Sequence, residues 1–193
     1  MIAPGIMPLD ESEPRIVRRA MHGDDSAFSM LFHRYSRPLM SFLYGISGRR
    51  ELAEDLMQET VGRAFSLLRN LRDEEKFSTW LFGIARNVAL ESGRRQERNL
   101  KQVALDVPEV KRFTNPGINP ETDAIRKQLF QAVQKGLNTL DEDLRIVLAL
   151  RVFAEKKYQE IADITGWSLA RVKIEIHRAR LKMRKIMEPH LRG

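Results

Sequence analysis

Apolar residues recur at intervals of three and four along nearly the whole chain, and this spacing restricts the fold more than any other feature. Phe28, Leu31, Tyr35, Leu39 and Phe42 form one such stripe. No sustained run of β-branched residues alternates with polar ones, so strands are not needed to explain the pattern. The sequence therefore predicts an all-α protein.

The first hundred residues carry three long helical patterns. A cap at Asp24 or Ser26 starts a helix that runs to about Gly45. Two more helices are expected over about 51–68 and 78–98, with a charged break between them. We expect these helices to pack into one unit.

A stretch between Val103 and Pro120 breaks the helical period with three prolines and a glycine. It predicts a flexible linker and hence two small helical domains. The expected divisions are an N-terminal segment over 1–22, a first domain over 23–100, the linker over 101–119 and a second domain over 120–193.

The second domain is predicted to begin with a helix from Pro120 to about Leu137, because Asn119 can cap it. Thr139 and Glu142 have the spacing of a capping box for the helix that follows.

Residues 157–173 have the spacing of a helix-turn-helix. Gly166 can adopt the positive φ of the turn, and Ser168 can cap the next helix. The side chains expected to pack inward on that helix are Leu169, Val172 and Ile176, and those expected to face outward are Arg171, Lys173, Ile174, His177 and Arg178.

Lys and Arg outnumber Asp and Glu by 33 to 26, and the excess lies toward the C-terminus. Residues 1–98 have a net charge of +1 (15 against 14), whereas residues 99–193 have a net charge of +6 (18 against 12). A basic helix-turn-helix favours contacts with DNA phosphates and base edges. Two alternatives stay open: a short helical hairpin without a DNA role, and a basic helix face that contacts only solvent.

The residue inventory excludes several classes of site. The chain has no cysteine, which rules out disulfides, cysteine nucleophiles and thiolate metal ligands. Its four histidines lack metal-ligand spacing, and its acidic pairs suit helix caps better than metal sites. We therefore expect no metal, no cofactor and no enzymatic activity, with a DNA-processing enzyme as one rival interpretation.

No apolar run approaches the roughly 18 residues that a membrane-spanning helix requires. The N-terminal stretch lacks a basic segment ahead of an apolar one and does not read as a secretory signal. We expect a cytoplasmic protein without direct membrane insertion.

Two helices of the first domain carry candidate binding groups. Along 51–61, acidic and amide side chains recur on one side beside leucines, as they also do in an ordinary amphipathic helix. Along 77–95, aromatic residues share one predicted helix with arginines, which suits single-stranded DNA because rings stack on bases and arginines bind phosphates. The alternative for Leu81, Ile84, Val88 and Trp80 is a place in the core.

Several motifs occur in a fixed order: LFHRY at 31–35, AEDLMQE at 53–59, FSTWLFGIARN at 77–87, and VK followed by HRAR within 172–180. Each motif alone is weak, whereas the ordered set over about residues 20–188 is specific. The chain thereby resembles the extracytoplasmic-function (ECF) sigma factors of bacterial RNA polymerase, group IV of the sigma-70 superfamily.

The resemblance implies a non-catalytic, two-domain initiation factor that binds core RNA polymerase. The helix over 51–61 is similar to the sigma segment that docks on the clamp helices of the largest subunit. The apolar side of the C-terminal domain is similar to the segment that meets the flap of the second-largest subunit. The residues implied for core docking are Leu52, Asp55, Leu56, Gln58 and Glu59.

The resemblance also implies promoter DNA as a partner at two elements, and an anti-sigma factor as a regulator. The first domain would read and melt the minus-ten element, and the helix-turn-helix would read the minus-thirty-five element. The residues implied for the minus-ten element are Asn70, Leu71, Arg72, Lys76, Trp80, Arg86, Asn87, Arg94 and Arg95. Those implied for the minus-thirty-five element are Ser168, Arg171, Lys173, Ile174, His177 and Arg178.

The chain departs from the family pattern at Leu71, where an aromatic residue is common, and in the acidic run over 73–75. Ile174 and Glu175 stand where a small polar residue and a base are usual, so the resemblance transfers no promoter sequence. Glu175 would either face solvent or accept a hydrogen bond from a cytosine amine. The main rival interpretation is an ordinary helix-turn-helix regulator whose first domain senses a ligand or dimerises.

Overall fold

The computed structural model describes residues 12–100 and 132–191, and every regular element within those two stretches is helical, which confirms the all-α prediction. The predicted linker over 101–119 and the start of the helix predicted from Pro120 lie outside the described residues. The helices are α1 (Glu13–Met21), α2 (Asp25–Ser47), α3 (Arg50–Leu67), α4 (Phe77–Leu100), α5 (helical over 132–138), α6 (Glu142–Val152), α7 (Tyr158–Thr165) and α8 (Leu169–Leu191), with 3-10 turns at Leu68–Asn70 and Glu74–Lys76.

Local sequence sets both ends of α2. The Asp24 carboxylate accepts hydrogen bonds from the backbone N–H groups of Ser26 and Ala27 at 3.0 and 3.1 Å. The Ser26 hydroxyl donates a hydrogen bond to the same carboxylate at 2.6 Å. This bond is the main reason why the pKa of Asp24 is well below its ordinary value. The helix continues through Gly45 and ends at Gly48, whose φ of 65° is left-handed. The predicted cap is confirmed, whereas Gly45 is an interior helical residue.

Helices α1–α4 surround a core of aromatic and aliphatic side chains. Phe42 of α2 and Phe82 of α4 are almost fully buried and meet edge to face, with ring centroids 5.5 Å apart. The sequence prediction lacks α1, although Ile16 and Val17 of this helix are buried. Because α1 spans only nine residues, its apolar spacing repeats too few times to stand out.

Helices α5–α8 form a second region that contains the predicted helix-turn-helix. The turn follows α7 at Gly166, whose φ is 72°. The Ser168 hydroxyl oxygen accepts a hydrogen bond from the Arg171 backbone N–H at 3.2 Å and caps α8. Val172 and Ile176 are buried, as predicted.

Two details of the second region differ from the prediction. Leu169 is 36% exposed, because the buried face of α8 begins only at Val172. Helix α6 takes Asp141 as its cap residue, so Thr139 and Glu142 do not form a capping box. The Thr139 hydroxyl instead donates to a carbonyl oxygen within α5 at 2.8 Å.

The two regions pack against each other along an inter-region seam, formed by α2 and α4 on one side and by α6, α7 and the loop between them on the other. Phe153 lies directly against Gly45, where a larger residue would not fit. The Lys156 ammonium, 7% exposed as a residue, lies 4.6 Å from the centroid of the Phe82 ring and donates a hydrogen bond to the Ser78 hydroxyl. Buried side chains of both regions consequently form one continuous core.

We predict that Gly45→Ala loosens the inter-region seam. A Cβ at this position would lie 2.6 Å from the Phe153 ring, which is closer than carbon atoms approach, so the ring or the loop that carries it must shift. The chain has no cysteine, so cysteines introduced at the exposed positions Ser29 and Lys185 can carry a dye pair. Energy transfer between the dyes should then report a longer distance than in the parent.

Gly62→Ala is the matched control, because a Cβ added there meets nothing within 4 Å beyond its chain neighbours and the backbone of its own helix. Alanine inside a helix is more stable than glycine by about 0.5–1 kcal/mol, so the control should raise the melting temperature without altering the dye distance. An unchanged distance in Gly45→Ala would contradict the close packing of the seam.

Candidate nucleic-acid interface

A cavity of about 570 Å³ opens between the loop over residues 68–76 and one face of α4. Aliphatic and indole groups line part of it, and the amide, cationic, hydroxyl and acidic side chains of polar residues line the rest. This combination suits a nucleotide, since a base can contact the apolar part while polar groups bind its edge and its phosphate. The lining residues are Asn70, Leu71, Arg72, Asp73, Lys76, Thr79, Trp80, Gly83, Ile84, Asn87, Asp163 and Ile164.

Six of the nine residues predicted for minus-ten contacts line this cavity. Leu71 is only 8% exposed and forms part of the cavity wall. Trp80 is partly buried, with its ring centroid 5.7 Å from that of Phe77, so it packs on the core and also lines the cavity. Leu81 and Val88 are buried, which confirms the core alternative for them. The six are Asn70, Leu71, Arg72, Lys76, Trp80 and Asn87.

The three remaining residues of that set are arginines that lie along α4. Arg86 donates a hydrogen bond to the Asn87 side-chain oxygen at 3.3 Å. Burial lowers the pKa of Arg86, and its Nε atom has no hydrogen-bond partner among the described residues. Arg94 and Arg95 are exposed farther along the helix. The cationic groups of α4 therefore extend beyond the cavity.

The acidic run in the loop is largely engaged within the protein. Asp73 accepts a hydrogen bond from the Glu75 backbone N–H at 3.0 Å and caps the second 3-10 turn. Glu74 pairs with Arg18 of α1 at 3.0 Å, and the hydrogen bond from Arg18 lowers the pKa of Glu74. Two of the three carboxylates thus shape the loop.

One wall of the cavity comes from the second region. Asp163 and Ile164 of α7, the first helix of the helix-turn-helix, line the cavity together with Asn87 and the loop. Sequence reasoning missed both residues. No local pattern could have revealed them, because the contact depends on how the two regions pack.

Helix α3 presents the polar face that was predicted to dock on polymerase. Asp55 and Gln58 are exposed, and neither side chain has an ion pair or hydrogen bond with another described residue. Glu59 pairs with Arg63 at 2.5 Å, and Arg63 also pairs with Glu91 of α4 at 2.6 Å. Hydrogen bonds to Glu91 and Glu59 raise the pKa of Arg63. Asp55 and Gln58 are therefore the more available members of the predicted set.

The apolar members of the docking set need one correction. Leu56 is 3% exposed and packs in the core of the first region, so it is not part of the exposed face of α3. Leu52 is partly exposed. Phe65, seven positions after Gln58, was missed although it is 55% exposed, and its ring packs edge to face on Phe28 at 5.0 Å. Seven positions are about two helical turns, so Phe65 lies on the same face of α3 as Gln58, and this spacing could have identified it from the sequence.

All six residues predicted for duplex contacts are exposed on α8 and the turn before it. Ile174 is 50% exposed, and an aliphatic side chain in this position can contact a thymine methyl group. The basic groups around it favour phosphate or base contacts. The six residues are Ser168, Arg171, Lys173, Ile174, His177 and Arg178.

Acidic side chains orient the arginines of this face. Arg171 lies 3.8 Å from the centroid of the Trp167 ring and pairs with Asp143 of α6 at 3.0 Å. Arg178 pairs with Glu175 at 3.2 Å. The Glu175 side chain is only 16% exposed, so it lies beside Arg178 and does not extend into solvent.

Among the described residues, no three His, Asp or Glu side chains lie together as a metal site would require. In the same part of the chain, no helix is both long enough and apolar enough to cross a membrane.

Two family models match separate segments of the chain. Residues 31–99 match Sigma-70 region 2, and residues 130–183 match Sigma-70, region 4. The ECF RNA polymerase sigma-E factor of Escherichia coli (strain K12) is 32% identical over 184 residues, which cover 92% of this chain and 95% of the relative. The RNA polymerase sigma factor YlaC of Bacillus subtilis (strain 168) is 31% identical over 167 residues, which cover 81% of this chain and 90% of the relative.

Solved structures share the fold. CnrH in complex with the cytosolic domain of CnrY superposes with a TM-score of 0.69 at 22% identity, covering 93% of this chain and 99% of CnrH. The sigma factor RpoE in complex with the anti-sigma factor NepR from Bartonella quintana also gives a TM-score of 0.69 at 22% identity, covering 83% of this chain and 96% of RpoE.

Proposed function

The chain belongs to the ECF-type sigma factors of the sigma-70 family, which are non-catalytic initiation subunits of RNA polymerase, and from this premise we propose how its surfaces share the task. Helix α3 docks on core polymerase, the cavity beside α4 binds the minus-ten strand, and α8 binds the minus-thirty-five duplex. One observation carries the proposal: a single chain holds both a cavity lined by amide, indole and cationic groups and a separate, exposed basic helix.

The two DNA surfaces correspond to the two expected domains. Residues 23–100 would form the domain for polymerase docking and the minus-ten element, and residues 120–193 the domain for the minus-thirty-five element. Residues 101–119 would join them as a linker, and residues 1–22 would precede them as an N-terminal segment.

The cavity has the chemistry to hold a base that has left the duplex. Removing a base from the stack costs a few kcal/mol, and this cost must be offset by contacts in a pocket. Trp80 and Ile84 provide apolar surface for the base, while Asn70 and Asn87 provide amides for its edge. Arg72 and Lys76 are exposed beside them and would bind the phosphates, with Arg86, Arg94 and Arg95 continuing the path of the strand.

Full entry of the strand requires α7 to withdraw. The Asp163 carboxylate lines the same cavity and repels a phosphate, and Ile164 occupies the wall beside it. A polymerase surface that contacts both regions would supply the free energy to separate them. We therefore expect the closed packing to belong to the free protein.

The docking surface on core polymerase centres on Asp55 and Gln58. Both are exposed and unpaired among the described residues, so they can meet basic groups of the clamp helices without first breaking an internal bond. Leu52 and the exposed Phe65 would add apolar contact on either side. Glu59 would contribute after exchanging its bond with Arg63.

Helix α8 would enter the major groove of the minus-thirty-five element. Arg171, Lys173 and Arg178 reach phosphates or base edges, and Ser168 lies at the helix N-terminus, where backbone N–H groups favour a phosphate. Ile174 and His177 complete the face that meets the bases. The apolar side of this domain would meet the flap of the second-largest polymerase subunit.

An anti-sigma factor is the expected regulator. The family resemblance supports it, and the solved relatives CnrH and RpoE are each bound to a partner of their own, the latter named as an anti-sigma factor. A protein that covers α3 or holds the inter-region seam closed would block initiation. The site of action is the cytoplasm, with polymerase.

Run-off transcription tests the proposal as a whole. Purified protein is added to sigma-free core polymerase on a library of genomic fragments, and the transcript start sites are mapped. Shared sequence elements upstream of the starts are expected. Tight binding of one operator by the free protein, with no initiation by the mixture, would instead support a conventional helix-turn-helix regulator.

We predict that Asp55→Ala with Gln58→Ala weakens core binding about tenfold, because two exposed polar contacts of the docking face are lost. The fold should persist, since neither side chain has a described internal partner. Fluorescence anisotropy of the labelled protein titrated with core enzyme measures the affinity, and thermal melting checks the fold.

Glu155→Gln is the control for this experiment, because it removes an exposed acid from the loop between α6 and α7, away from α3. It should bind core with parental affinity. Parental affinity in the double variant would contradict the role of α3.

We predict that Arg178→Ala weakens holoenzyme binding to the minus-thirty-five element by about 1–3 kcal/mol if Arg178 makes a bidentate base contact. Footprinting on promoters with single base changes locates the base, since specificity should relax at one position. Arg184→Ala is the comparison, because loss of a phosphate contact weakens binding evenly across sequences and reduces the salt dependence. An even, sequence-independent loss in Arg178→Ala would assign that arginine to phosphate.

A further inference from the structure

Helix α1 lies outside the segment that matches the region 2 family model, which begins at residue 31. It nevertheless packs on both 3-10 turns of the loop that borders the cavity. Its Ile16 and Val17 are almost fully buried against the rest of the first region. The helix is therefore placed to affect the loop without itself lining the cavity.

Two polar anchors fix α1 at its ends. In the first turn, the Glu13 carboxylate accepts a hydrogen bond from the Tyr35 hydroxyl at 2.8 Å and pairs with Arg34 at 3.1 Å. In the last turn, Arg19 pairs at 2.7 Å with Asp24, the residue that caps α2. Burial and the bond to α1 raise the pKa of Tyr35, so its hydroxyl remains a donor to Glu13. The position of α1 on α2 is consequently well defined.

Arg18 connects this fixed helix to the loop. Its Nε donates to the Glu74 carboxylate at 3.0 Å, and Glu74 begins the 3-10 turn that ends at Lys76. Asp73 directly precedes Glu74, Lys76 follows it by two positions, and both line the cavity. The ion pair therefore holds the backbone between two cavity residues.

We propose that α1 is a brace for the cavity loop and that Arg18 is its positioning residue, acting on the minus-ten strand through Glu74. The proposal rests on the proposed function of the cavity. Loss of the brace should impair strand capture, which needs the loop in place. It should not impair core docking through α3 or duplex binding through α8, which lie elsewhere on the chain.

A double-mutant cycle tests the brace in the holoenzyme. A fluorescent base analogue in the minus-ten element reports strand opening. Arg18→Ala and Glu74→Gln should each reduce opening about threefold, the effect expected of one exposed ion pair, and the double variant should lose no more than either single variant. Arg15→Ala is the matched control. Arg15 is an exposed arginine of the same helix, and it pairs with no acid among the described residues.

These variants also separate a brace from a direct DNA contact by Arg18. A direct contact predicts no loss in Glu74→Gln, because the arginine and its charge remain. Parental opening in Glu74→Gln would overturn the proposal, as would an equal loss in Arg15→Ala. A fall in melting temperature or core affinity large enough to explain the defect would overturn it as well.

A second measurement does not depend on transcription. Trp80 lines the cavity beside the loop, and Trp167→Phe leaves it as the one tryptophan of the chain. Acrylamide should quench Trp80 more strongly in Arg18→Ala and Glu74→Gln than in the parent or in Arg15→Ala. Unchanged quenching would overturn the brace. Quenching could increase in the two variants while even the parent protein opens no promoter with core polymerase. That result would support the brace and overturn the function proposed for the cavity.

Discussion

The buried face of α4 is the constraint on which the rest of the structure depends. Phe77, Phe82 and Val88 are each at most 2% exposed, and they fix the rotation of the helix about its axis. Because α-helical side chains three and four positions apart share a face, the same rotation directs Trp80 and Asn87 to the cavity. Substitutions of core residues in the first region should therefore alter the shape of the cavity, even where the substituted residue does not line it.

Periodicity and capping chemistry predicted most of the fold, because these signals are local. Asp24 and Gly166 mark helix ends in the sequence as clearly as in the structure. The α7 wall of the cavity and the short helix α1 could not be predicted in the same way. Each depends on packing between distant segments, and a nine-residue helix takes much of its stability from such packing.

Part of the positive charge of the chain is neutralised locally by ion pairs on the surface proposed to bind DNA. Arg171, Arg178 and Lys182 each pair with a nearby acid, at distances of 2.7 to 3.2 Å. Exposed pairs of this kind contribute little to stability and weaken with salt, so a DNA phosphate can replace the acid at small cost. In the proposed duplex contact, these pairs would orient the basic groups before binding.

The inter-region seam combines apolar packing with the buried cation of Lys156, and this combination limits the strength of the closed state. Lys156 follows Glu155, whose φ of 54° is left-handed, and its ammonium rests near the Phe82 ring with Ser78 and Glu160 as polar partners. Separation exposes apolar surface, which is unfavourable, but it also restores water to the ammonium, which is favourable. An apolar residue in place of Lys156 would remove the second effect. Regions joined by such a seam can therefore be separated by a partner that binds both of them.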